Sequence, residues 1–111
     1  MRTVLEWLSE IPNKARVECT VRIRRLAELG HELRRPEADL LRGGIHELRA
    51  SLQGIHYRVL YFFHGAIAAV LAHAIIKEDR VPDRDIEIAV ARKALFQGDP
   101  ERHTAEVELE D

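Results

Sequence analysis

Two neighbouring segments, IHELRAS over residues 45–51 and IHYRVLYFF over 55–63, alternate their side chains with the period of two that a pleated strand imposes and a helix cannot hold on one face. The alternation sorts the residues. In the first segment Glu47, Arg49 and Ser51 fall on one side and His46, Leu48 and Ala50 on the other. In the second, His56, Arg58, Leu60 and Phe62 oppose Tyr57, Val59, Tyr61 and Phe63. Both faces of this second strand are largely apolar, so it belongs in the middle of a sheet. A tight turn at His64-Gly65 leads into a third predicted strand, Ile67 to Ile76. The sheet so predicted is small, antiparallel and three-stranded, and it carries arginines where core is expected.

Helical patterns flank it. Thr3 and Glu6 have capping-box spacing, and Val4, Trp7, Leu8 and Ile11 repeat at helical intervals until Pro12. After the PNK corner, Ala15, Cys19, Ile23, Leu26 and Leu29 mark one face of a second helix that Gly30 closes. The two should form a hairpin, with Val17 and Val21 on its outer face. RRPEADLLRGG then reads as a connection in which Leu40 and Leu41 tuck against the core. A last helix is predicted from Pro82, with Asp83 and Asp85 in its first turn, a stripe of Ile86, Val90 and Ala94, and an end at Gly98. The order α-α-β-β-β-α makes an α+β fold of one domain over 1–111, with its core in 4–98 and an acidic tail at 99–111.

With 111 residues, 46% hydrophobic and 32% charged, the chain is sized for one core. The apolar stretch Ala66–Ile76 is too short to span a bilayer, and the acidic N-terminal segment is unlike a signal peptide, which points to a cytoplasmic protein with no membrane partner. The single cysteine, Cys19, forms no internal disulfide and suits a helix core. Of 17 Lys and Arg and 19 Asp and Glu, residues 101–111 hold one and five, leaving a mildly basic body with 16 against 14. No cofactor or metal is expected: a Gly-rich phosphate loop, a nucleophile elbow and histidines at ligand spacing are all missing from the sequence.

The segments HELR and YRVLYFF, followed by LAHAIIKEDRVPDRDIEIAVAR, together resemble the RelE/ParE superfamily of bacterial type II toxins, most closely its phage-derived, HigB-like branch. The resemblance lies in order and spacing: an E-L-R strand, a Y-R-x-x-Y-F strand, a strand ending in a histidine plus an aromatic residue, a K-K-x-K-T-P-like basic loop, and a helix opening E-I-x-x-A. It implies a helical hairpin packed on a twisted antiparallel sheet, ribosome-dependent cleavage of mRNA by an endoribonuclease that needs no metal, translation inhibition, and neutralisation by a helix-turn-helix antitoxin in a hetero-oligomer. Relatives usually carry an extra strand before the first helix. They also carry a more basic loop than KEDRVP, in which Glu78 and Asp79 stand.

The chemistry of the residues fits that implication. RNA cleavage by its own 2′-hydroxyl requires a held nucleotide, charge stabilisation on the phosphate and a route for two protons. Guanidinium forks bind phosphate bidentately and stay charged. Arg49, Arg58, Lys77 and Arg80 are therefore the expected RNA-binding set, on the sheet face free of helices; Arg49, Arg58 and Lys77 also serve catalysis, with His73 as the proton-transfer group. Structural alternatives stand beside each role. Arg49 can pair with Glu47, Arg58 can lay its stem along the sheet, His73 can be a satisfied core histidine, and Tyr61 is read as core. Two functional alternatives also stand: a ParE-like gyrase inhibitor that cleaves nothing, and a degenerate toxin retained as transcriptional co-repressor with its antitoxin.

In the tail, Ala105, Val107 and Leu109 alternate with Glu106, Glu108 and Glu110, the pattern of an extra C-terminal edge strand; an acidic tail lying free, or folded onto the arginines, is the rival. Amide exchange checks this expectation. The amides of Val107 and Leu109 should be protected as well as those of 57–63, and random-coil rates would remove the strand.

Overall fold

The computed structural model describes residues 3–65, 68–77 and 80–102. Helix α1 (Val4–Glu10) starts at the expected capping box, in which the Glu6 amide donates to Thr3 Oγ1 at 3.1 Å and the Thr3 amide donates to Glu6 Oε1 at 3.3 Å. Helix α2 (Asn13–Leu29) ends at Gly30, whose amide still donates to the Leu26 carbonyl and whose φ of 53° then turns the chain out of the helix. Arg16 fixes the corner between them. Its Nε donates to the Leu8 carbonyl at 2.8 Å and its Nη2 to that of Ser9 at 3.0 Å, satisfying carbonyls that the end of α1 leaves open.

The sheet has four antiparallel strands in the order β1 (Ala38–Leu40), β2 (His46–Leu52), β3 (Ile55–His64) and β4 (Ala68–Ile76). A fourth strand thus lies inside the segment expected to be a connection. There Leu40 is exposed rather than tucked in, and only Leu41 reaches a core. Three residues are too few for a legible period, and β1 exists because β2 offers it a ladder, Ala38 opposite Leu48 and Leu40 opposite His46. The extra strand proposed for 104–110 lies outside the described residues.

The faces follow the alternation. One side of β2 and β3 presents Leu48, Ala50, Tyr57, Val59 and Tyr61 to Trp7, Leu8, Cys19, Ile23 and Leu26 of the helical hairpin. Burial pushes the Cys19 thiol up to about 11, so it stays a protonated core side chain. Val17 and Val21 remain exposed on the outer face of α2.

The other side carries α3 (Asp83–Gly98), which lays Ile86, Ala89 and Phe96 on Ile45, Leu60 and Phe62. Its buried stripe is rotated from the one expected: Ala94 is exposed, while Asp85 turns inward to meet His73. A β-bulge in β4 accounts for this meeting. Leu60 is opposite His73 and Tyr61 opposite Leu71, so Ala72 is the additional residue. Ala72 and His73 therefore both point towards α3, where strict alternation would have separated them. Among the described residues no helix is long and apolar enough to cross a membrane.

On the hairpin side, His46 is stacked on Tyr61 with ring centres 5.1 Å apart. Burial, then the His31 imidazole nearby, hold its pKa below 6.5, against a smaller opposing pull from Asp39. A base whose folded pKa is depressed binds its proton more readily in the unfolded chain. The neutral ring's contribution is thus whole above pH 6.5 and lost as the pH falls below it, down to the folded pKa. Urea midpoints measured between pH 7.5 and 5 should fall with acidity, and His46→Phe should flatten that slope; an unchanged slope would assign the acid sensitivity elsewhere.

Candidate functional site: an arginine groove at the open end of the sheet

The geometry begins at the β2–β3 turn. Gln53 and Gly54 take φ of 52° and 80°, the doubly left-handed turn whose twist matches a two-residue hairpin. That turn sets the register, pairing Ser51 with His56 and Arg49 with Arg58. Two like charges directly across an antiparallel pair repel each other. Glu47 resolves the conflict. Only 2% exposed, it accepts through Oε1 both from Arg49 Nε and, at 2.7 Å, from Arg58 Nη1. A buried carboxylate needs such partners, and each arginine needs the carboxylate.

Further contacts aim the guanidiniums. Arg58 Nε donates to the Lys77 carbonyl at 3.3 Å, and Arg49 Nη2 lies 3.4 Å from Asp39 Oδ2. Asp39 is held below the usual carboxylate range, first by its hydrogen bond from Arg35 and less by Arg49. From α2, Arg22 and Arg25 meet Glu37; Arg25 grips it with both arms, Nε to Oε1 at 2.7 Å and Nη2 to Oε2 at 3.0 Å, which lowers the Glu37 pKa.

These side chains surround a groove of about 610 Å³. Arg22, Arg49, Arg58 and Arg80 line it together with Ser51 and His56, and Pro36 and Glu37 form the wall towards β1. It occupies the part of the sheet face that α3 leaves open; that face is half covered, not bare as expected from sequence. The four arginines outnumber the lining carboxylate, Glu37, and the buried one beneath, Glu47, so the surface favours an anion. The volume suits a group of nucleotide size rather than a bare ion.

The sequence-predicted residues divide. Arg49, Arg58 and Arg80 come together in the groove. Lys77 borders it through its backbone, its amide donating to the His56 carbonyl at 3.1 Å and its carbonyl accepting from Arg58; its side chain is not part of the lining. His73 lies in the seam under α3, its Nε2 2.9 Å from Asp85 Oδ1, and does not line the groove. Tyr61 is core at 1% exposure, and burial pushes its phenol up to about 12. Sequence reasoning missed Ser51 and His56, although the same alternation that placed Arg49 and Arg58 puts them on the same face. It also missed Arg22, whose approach from α2 has no local signal.

Residues 6–94 match the family described as phage derived protein Gp49-like (DUF891). The chain belongs to that family. It is a RelE/ParE-like toxin family of toxin–antitoxin systems, and membership implies an antitoxin partner. No match was found among curated proteins. The α+β architecture, an antiparallel sheet with a helical hairpin and a C-terminal helix, is compatible with the RelE-like fold expected from sequence.

Removing Glu47 leaves Arg58, whose side chain is 11% exposed, facing Arg49 with nothing between them. Glu47→Ala should therefore cost about 3 kcal/mol of stability in urea denaturation, the lower end for breaking a buried pair because Arg49 retains access to water. A loss below about 1 kcal/mol would mean that the two guanidiniums find other partners at no cost.

Proposed function

We propose that this protein is the toxin of a type II toxin–antitoxin pair, HigB-like in action, and that it cleaves mRNA on the ribosome. The observation that carries this reading is the convergence of Arg22, Arg49, Arg58 and Arg80 on one groove, with two of them braced by a buried glutamate. Cleavage within the chain of an RNA consists of attack by the 2′-hydroxyl on the adjacent phosphorus, through a phosphorane-like state with more negative charge than the ground state. Guanidiniums held before the substrate arrives stabilise that charge without reorganising, which is the larger part of what such a site has to do. Arg58, largely buried and bonded to Glu47 and the Lys77 carbonyl, receives one phosphate oxygen; Arg49 and the exposed Arg80 take the flanking charge. The antitoxin is a helix-turn-helix protein that neutralises the toxin in a hetero-oligomer, and an acidic or phosphate-like group is the chemistry that would fill this groove competitively.

Expression of the intact chain without its antitoxin should arrest growth, and primer extension on messages from purified translation reactions should reveal new 5′ ends. Arg80→Ala removes an exposed contact. Arg58→Lys keeps a charge beside Glu47 but loses the fork. Each should slow cleavage about ten- to a hundredfold, as expected for a charge-assisted hydrogen bond of roughly 1.5–3 kcal/mol. Growth arrest with intact messages and inhibited DNA supercoiling would replace this reading with the gyrase-directed one, and neither effect would leave the co-repressor.

A further inference from the structure

We propose that His56 takes the proton from the attacking 2′-hydroxyl, with Ser51 setting the orientation of its ring. This assignment rests on the groove being an RNA-cleavage site and names the residue that completes it.

Three observations lead there. The hairpin register places His56 directly across from Ser51, two residues along each strand from the Arg49–Arg58 pair, and both line the groove. Ser51 Oγ lies 2.8 Å from His56 Nδ1. The remaining described histidines are engaged elsewhere: His73 with Asp85, His31 stacked on Phe63, His46 on Tyr61, and His64 edge-on to Phe96. Among the described residues, His56 is the imidazole that borders the arginines.

The Ser51 hydroxyl suits the task because it is both donor and acceptor. It can donate to a neutral Nδ1 or accept from a protonated one, so the ring keeps one fixed bond while its charge changes. When Nδ1–H donates to Ser51, Nε2 carries the lone pair and can act as base. In the step itself the 2′-oxygen gives its proton to Nε2 and forms a bond to phosphorus as the bond from phosphorus to the 5′-oxygen breaks. That oxygen takes a proton from water, and the imidazolium later returns its own to solvent. The products are a 2′,3′-cyclic phosphate and a 5′-hydroxyl. Arg58 holds a phosphoryl oxygen and Arg49 and Arg80 take the flanking charge, while Glu37 on the β1 wall is occupied by Arg22 and Arg25 and leaves the base role to the histidine.

The test uses the full-length chain on ribosomes programmed with a defined message. His56→Ala should lower the single-turnover cleavage rate at least a hundredfold with little change in the concentration needed for half-maximal rate or in the thermal midpoint; His56→Gln, whose side-chain amide can retain a bond to Ser51, should fold normally and be as slow. Ser51→Ala should cost about tenfold in rate alone, and Ser51→Thr should restore it. A message carrying sulfur in place of the 5′-oxygen at the cleaved bond has a leaving group that needs no proton, and His56→Ala should stay slow on it. Recovery of rate on that message would put His56 on the leaving group and overturn the assignment. Wild-type rates in both His56 variants would overturn it while leaving the arginine groove as the cleavage site, and absence of cleavage by the wild-type chain would overturn both.

Discussion

A single buried carboxylate between two opposed arginines holds the arginine-lined end of this sheet together. At 2% exposure Glu47 finds its partners in the guanidiniums of Arg49 and Arg58, and they could not stand opposite each other without it. The cluster is therefore neither purely structural nor purely functional. Two cations on one anion leave a surplus positive charge, held in place, at the floor of an open groove. Arg49 pairs with Glu47 as the structural reading of the sequence would have it, and it lines the groove at the same time.

The sheet separates two kinds of packing. Its hairpin side is closed by α1 and α2 over an apolar core, with Trp7 edge-on to Tyr57. Its other side is shared between α3, which covers Leu60 and Phe62, and the arginines, which take the surface nearer the β2–β3 turn. Had α3 covered the whole face, Arg58 would have lost its outlet; had it been absent, the alternating Leu60 and Phe62 would have lain in water at a cost of about 2 kcal/mol each.

Much of this was legible because a period of two is a strong constraint. Once 45–51 and 55–63 were read as strands, the faces of residues 46–51 and 56–63 followed, and they are as expected. The helical hairpin and its capping box were equally plain, since Thr3, Glu6 and Gly30 act on their immediate neighbours. What sequence did not disclose depends on distant partners. Strand β1 is three residues that pair only because β2 lies beside them. The bulge at Ala72 adds one residue to β4 and so turns His73 to Asp85, and the buried residues of α3 are Asp85, Ile86, Ala89 and Phe96, with Ala94 exposed. Arg22 enters the groove from a helix on the other side of the sheet, a meeting no local spacing encodes. His56 was passed over for another reason: its face was assigned correctly, but the histidine of the apolar strand, His73, was given the proton-transfer role that we propose for His56.

The two ends of the segment that carries Arg80 are both anchored. At one end the Lys77 amide is bonded to the His56 carbonyl, and at the other Val81 is buried and Asp85 is held by His73. The same helix is fixed further along by Arg92, which donates to the Ala72 carbonyl at 2.6 Å, and by Lys93, which donates to that of Gly43 at 3.1 Å. In this fold the bulge in β4, which lines no part of the groove, thereby helps to seat the helix that follows Arg80.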